Sequence, residues 1–82
     1  MPEFRNVRPR QAIDALERAG GVAREGKGSH VNVKMPNGQV VTLSMHRGPV
    51  KIGLLKAMIR KADLTETEFA RLLKGEQRWN MW

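Results

Sequence analysis

The spacing of hydrophobic positions along this 82-residue chain changes period twice, and the changes divide it into elements. Ala12, Ile13, Leu16 and Ala19 recur at helical spacing. Pro9 suits a first helical position and Gly20-Gly21 stops the pattern, so the spacing predicts a helix from about Pro9 to Ala19. A short strand is expected at Val22 to Arg24, followed by a glycine-rich turn through Gly28. Val31, Val33 and Met35 then alternate with His30, Asn32 and Lys34; beyond Pro36-Asn37-Gly38, Val41, Leu43 and Met45 alternate with Thr42, Ser44 and His46. A period of two marks an amphipathic hairpin.

Opposed residues of an antiparallel pair share a face. The two apolar sets are therefore expected to meet in the register Met35 with Val41, Val33 with Leu43 and Val31 with Met45, joined by the three residues Asn37 to Gln39. That register sets His30 opposite His46. A strict two-residue Asn-Gly turn would mix the faces.

The helical period returns after Gly48-Pro49. Ile52, Leu55, Ile59 and Ala62 form a stripe widened by Leu54 and Met58, with Lys56 and Arg60 outside it, and this helix is expected to cover one face of the sheet. Thr65-Glu66-Thr67-Glu68 has capping-box spacing, and Phe69, Leu72 and Leu73 precede Gly75, so a third, short helix closes the chain. The order is α-β-β-β-α plus a short C-terminal helix: an α+β fold with a small three-stranded antiparallel sheet and helices packed on one face. Residues 1–75 read as a single domain and 76–82 as a tail whose Trp79 and Trp82 suit anchors for a protein contact.

A chain of this length supports one modest core and a shallow site. There is no cysteine, hence no disulfide or thiolate metal site, and no apolar run nears the roughly 18 residues of a membrane span. Met1 to Arg10 lacks a signal peptide's apolar stretch, so a soluble cytoplasmic protein with no membrane partner is expected.

Charge adds more once it is located. Of 15 Lys/Arg and 8 Asp/Glu, residues 26–62 hold seven of the cations and none of the acids, so this segment carries all of the net charge of +7. A patch of one sign attracts polyanions, with nucleic acid first among them. Gly26-Lys27-Gly28-Ser29-His30 stands at its head, joining glycines that admit an anion to the side chain that titrates nearest neutral pH. Gly21 to Gly28 nearly spells a phosphate-binding loop, but Gly28 stands where Ser or Thr must hold the metal and a strand follows where a helix should. His30 and His46 fall one ligand short of a catalytic zinc set, so no metal and no cofactor is expected. Facing each other beside Lys27, the two imidazoles instead suit proton transfer on an RNA 2′-hydroxyl, which DNA lacks. The polar face of the hairpin has no aromatic residue on which unpaired bases would stack.

Gly28-Ser29-His30 opening a strand, a second strand ending at His46, and then the run from Ile52-Gly53-Leu54-Leu55 to Asp63-Leu64 together resemble the HicA-type mRNA interferase toxins, over roughly Ala12 to Phe69. The resemblance implies a fold like a double-stranded-RNA-binding domain, metal-independent cleavage of messenger RNA by the histidine of Gly-Ser-His, here His30, and neutralisation by a HicB-type antitoxin that covers this site. On the combined reading His30 is general base or acid and His46 orients or assists it. Lys27, Gly28, Ser29, Lys34 and Arg47 contact RNA. The chain departs from the family pattern at Val22, Val31 and Val33, where aromatics are common, and at Asp63, where many members have Gly. Two other readings fit the same charge: a module that holds structured RNA without cutting it, and a basic face that docks an acidic protein.

Overall fold

The computed structural model describes residues 3–46 and 48–76. Pro9 takes the first position of α1 (Pro9–Arg18), where its missing N–H removes no helical bond, and the N–H of Arg8 donates to Gln11 Oε1 at 2.8 Å. The helix turns Ala12, Ile13, Ala15 and Leu16 inward. It ends where the Gly21 N–H reaches back to Leu16 O at 2.9 Å. Gly21 has no room for a side chain: a Cβ there would stand 2.6 Å from Val33 Cγ1 and 2.9 Å from Leu16 O.

β1 (Val22–Glu25), β2 (His30–Lys34) and β3 (Val40–Ser44) form an antiparallel sheet in the order β1-β2-β3. Val33, Val41 and Leu43 face the core while His30, Lys34, Thr42 and Ser44 are exposed, so the alternation assigns the faces as expected. The register differs. Val31 pairs with Leu43 and Val33 with Val41, a slip of two from the expected pairing, and His30 stands opposite Ser44 rather than His46. Loop closure explains the slip. The three connecting residues are Pro36, Asn37 and Gly38: Met35 N–H bonds Gln39 O at 2.8 Å, Gly38 N–H bonds Met35 O at 2.9 Å, and Gly38 has φ +88. The left-handed position of such a loop is its last, which only this placement gives to glycine, and Pro36, unable to donate to a ladder, sits at the first turn position. Asn37 Oδ1 accepts the Gln39 N–H at 3.0 Å and completes the turn.

α2 (Ile52–Lys61) buries Leu55, Met58 and Ile59 and leaves Lys56 and Arg60 outside. α1, rather than α2, is the helix in contact with all three strands, whereas α2 packs against α3 (Glu66–Leu73). The α2 end has a glycine-type geometry without glycine. Asp63 takes φ +61, its N–H bonds Arg60 O at 3.0 Å, and the N–H of buried Leu64 bonds Ile59 O at 3.1 Å. The capping box at α3 forms as expected, with Thr65 N–H to Glu68 Oε1 at 2.9 Å and Glu68 N–H to Thr65 Oγ1 at 3.0 Å.

α3 is integral to the core. Phe69 is fully buried, meets the Phe4 ring edge-on at 5.7 Å, and Arg18 Nη1 donates to Leu72 O at 2.8 Å. Phe69, Ile13, Leu16, Leu55, Ile59 and Val33 are the largest fully buried side chains, each contributing about 1.5–3 kcal/mol by leaving water. The result is a three-stranded sheet with its helices on one face and the other face open, consistent with the layout of a double-stranded-RNA-binding domain. The expected tail at 76–82, with Trp79 and Trp82, falls outside the described residues apart from Glu76.

Candidate active site at the first hairpin turn

β1 and β2 are joined by a tight turn that carries the candidate histidine. His30 N–H bonds Lys27 O at 3.2 Å and Gly26 N–H bonds His30 O at 2.8 Å. Gly28 is the first central residue of the Lys27–His30 turn and has φ +62, a position that tight hairpin turns reserve for glycine. No atom lies within 4 Å of where its Cβ would be, so the turn presents open space to a ligand. Lys27, Gly28, Ser29 and His30 are all exposed.

The His30 ring folds back on its own turn, with Nδ1 3.0 Å from the Lys27 carbonyl oxygen. A carbonyl only accepts, so Nδ1 carries the proton and the Nε2 lone pair of the neutral ring is left for another proton. One bond thus fixes both the ring orientation and the nitrogen that can act as base.

Across the sheet from His30 is Ser44. Met45 N–H bonds Ser29 O at 2.7 Å, which makes Ser29–Met45 a hydrogen-bonded pair and His30–Ser44 the non-bonded kind, in which side chains approach most closely. The next such pair shows how closely: Thr42 Oγ1 donates to Asn32 Oδ1 at 2.7 Å.

His46 is elsewhere. Its Nδ1 lies 3.1 Å from Ser44 O and its Nε2 3.4 Å from Pro49 O, so the ring closes the bend between β3 and α2. Lys27 adjoins His30 in the turn, but Lys34 is four residues along β2, about 13 Å away at strand rise. Lys34 shares the open face with His30 without belonging to one cluster. Arg47 lies outside the described residues. Sequence reasoning does not single out Ser44, because its place depends on register, and it attaches no function to Arg24, Asn32 and Thr42.

The described ion pairs, Arg5–Glu3 and Arg10–Asp14, lie before the acid-free segment. Among the described residues no three His, Cys, Asp or Glu side chains are grouped to hold a metal ion, and no helix is long and apolar enough to cross a membrane.

Residues 9–64 match a family model described as the HicA toxin of bacterial toxin–antitoxin systems. No curated protein matches the chain. The family match spans α1 through the end of α2 and includes the whole His30 turn; α3 lies beyond it.

Proposed function

Since the chain belongs to the HicA family of toxins from bacterial toxin–antitoxin systems, we propose that it is an endoribonuclease that cuts messenger RNA in the cytoplasm with His30 as its general base. The observation that carries this reading is the exposed His30 residue, its ring held through Nδ1 by the Lys27 carbonyl at the head of the acid-free basic segment. Nε2 takes the proton of a ribose 2′-hydroxyl, and the 2′-oxygen attacks the adjacent phosphorus. The bond from phosphorus to the 5′-oxygen breaks, and that oxygen leaves with a proton from water or from the imidazolium. The products are a 2′,3′-cyclic phosphate and a 5′-hydroxyl. Lys27 and the backbone N–H groups of Gly28 and Ser29 stabilise the charge on the phosphoryl oxygens. The chemistry consists of proton transfers and phosphoryl transfer alone and proceeds without a metal ion.

His46 acts here by shaping the bend that follows Ser44, not by exchanging protons with His30. A HicB-type antitoxin neutralises the toxin by covering the exposed turn. Induced expression of the chain in a bacterial host is expected to arrest growth, and His30→Ala is expected to abolish the arrest at equal protein level. Full arrest by that variant would refute the reading.

A further inference from the structure

The open face of the sheet carries three cross-strand rows: Gly26, His30 and Ser44; then Arg24, Asn32 and Thr42; then Val22, Lys34 and Val40. The cleavage step uses only His30 among them. Successive rows are two residues apart, about 6.6–6.8 Å along the strands. The three rows contain two cations, the His30 imidazole and no carboxylate; Glu25, opposite Val31, borders the face at the β1 edge.

Each row has a distinct chemistry. In the middle row the Thr42 hydroxyl donates to Asn32 Oδ1, which fixes the amide and leaves the Asn32 Nδ2 donors and the Thr42 oxygen lone pairs for a ligand. Gly26 keeps that amide uncovered, since a Cβ there would stand 3.0 Å from Asn32 Nδ2. In the far row Val22 and Val40 are 59% and 41% exposed and flank Lys34. Here the face dips into a shallow depression of about 490 Å³ bounded by Val22, Arg24, Glu25, Asn32, Lys34 and Val40.

We propose that this face is the track of a single RNA strand leading away from the His30 row, in which Asn32 and Thr42 read the edge of one base while Arg24 and Lys34 hold phosphates. This rests on the ribonuclease reading of His30 for the identity of the polyanion. Base reading by the Asn32–Thr42 pair favours a single strand over a duplex, because the deep, narrow major groove of A-form RNA is closed to side chains and recognition of RNA bases is directed mainly at unpaired ones. The side chains choose a nucleic acid over a protein because the face joins the His30 turn without a break and keeps a net positive charge, with Arg24 and Lys34 against the one bordering carboxylate, Glu25. With no aromatic on the face, bases are gripped by their edges and by the valine methyls instead of by stacking.

The test is binding of a fluorescein-labelled, 2′-O-methyl single-stranded RNA oligonucleotide, which cannot be cut through its 2′-oxygen, followed by anisotropy over a range of salt. Arg24→Ala with Lys34→Ala is expected to lower the slope of log affinity against log salt by about 0.7 for each phosphate no longer neutralised, whereas Arg71→Ala on α3 leaves it unchanged. Asn32→Ala is expected to level the affinities of otherwise identical oligonucleotides of different base. An unchanged slope in the double variant, no binding by the parent chain, or a duplex that binds equally well would overturn the track. If His30-dependent cleavage persists while the slope is unchanged, the track fails and the ribonuclease reading stands. If the slope falls but no His30-dependent cleavage occurs, the ribonuclease reading fails and the track stands.

Discussion

The Lys27 carbonyl oxygen lies 3.0 Å from Nδ1 of His30, three residues on in the same turn. The turn therefore does for its histidine what a separate carboxylate or carbonyl does at many active sites, fixing the tautomer through the nitrogen that stays away from the substrate. On the proposed ribonuclease reading, catalytic competence is a property of local backbone conformation, and activity is tied to the glycine that permits the turn.

Gly28→Ala places a side chain at φ +62 with nothing nearby to clash, so its effect is conformational and not steric. It is expected to destabilise the fold by about 1–2 kcal/mol. For a domain of this size each kcal/mol lowers Tm by about 4–8 °C. Cleavage measured well below the lowered Tm should still fall, because the Lys27 carbonyl no longer holds the ring. A variant with normal activity would show that the Lys27–His30 bond is incidental.

His46→Ala separates the two histidines. Loss of a general base is expected to lower the rate by about 10²–10⁴-fold, which is the expectation for His30→Ala. The His46 ring donates to the Ser44 or the Pro49 carbonyl at the surface, and such a bond is worth about 0.5–1.5 kcal/mol, so at most about a tenfold loss is expected. Equal losses in single-turnover cleavage by the two variants would restore His46 as a proton-transfer partner.

The separation of the two histidines marks the limit of what alternation along the chain can fix. Alternation places Val33, Val41 and Leu43 inward and His30, Lys34 and Thr42 outward, and the structure agrees. Slipping an antiparallel pair by two residues leaves every side chain on its face, so alternation alone does not choose between Ser44 and His46 as the partner of His30. Loop chemistry does choose, through Pro36 at the first loop position and Gly38 at the last, left-handed one. The turn that carries His30 is legible because glycine, lysine and histidine each act there locally. Ser44 is not, because only a long-range pairing brings it there. Likewise the capping box of α3 is visible in four residues, whereas the choice of α1 as the helix against all three strands depends on packing across the chain.

Phe69 tests whether α3, beyond the family-matched residues 9–64, is an appendage or part of the core. Its ring is fully buried against α1 and Phe4, so Phe69→Ala is expected to cost about 3–5 kcal/mol, measured by denaturant unfolding. A loss below about 1 kcal/mol would mean that α3 adds little to the domain.

Asp63 holds a left-handed φ of +61 at the C-terminal end of α2, where its negative charge also opposes the helix dipole. Asp63→Gly relieves about 1–2 kcal/mol of backbone cost and loses about 0.5–1 kcal/mol to the greater freedom of the unfolded chain. A small gain, visible as a rise of a few degrees in Tm, is the expected outcome. A fall would point to a stabilising contact of the Asp63 carboxylate.

Cleavage through His30 is tested by incubating the purified chain and its His30→Ala variant with end-labelled RNA in excess chelator and resolving the products on a denaturing gel. Discrete fragments ending in 2′,3′-cyclic phosphate from the parent chain, and intact RNA from the variant, are the expected result. Intact RNA with both proteins, or the same fragments from both, would contradict the claim that this chain cuts RNA through His30.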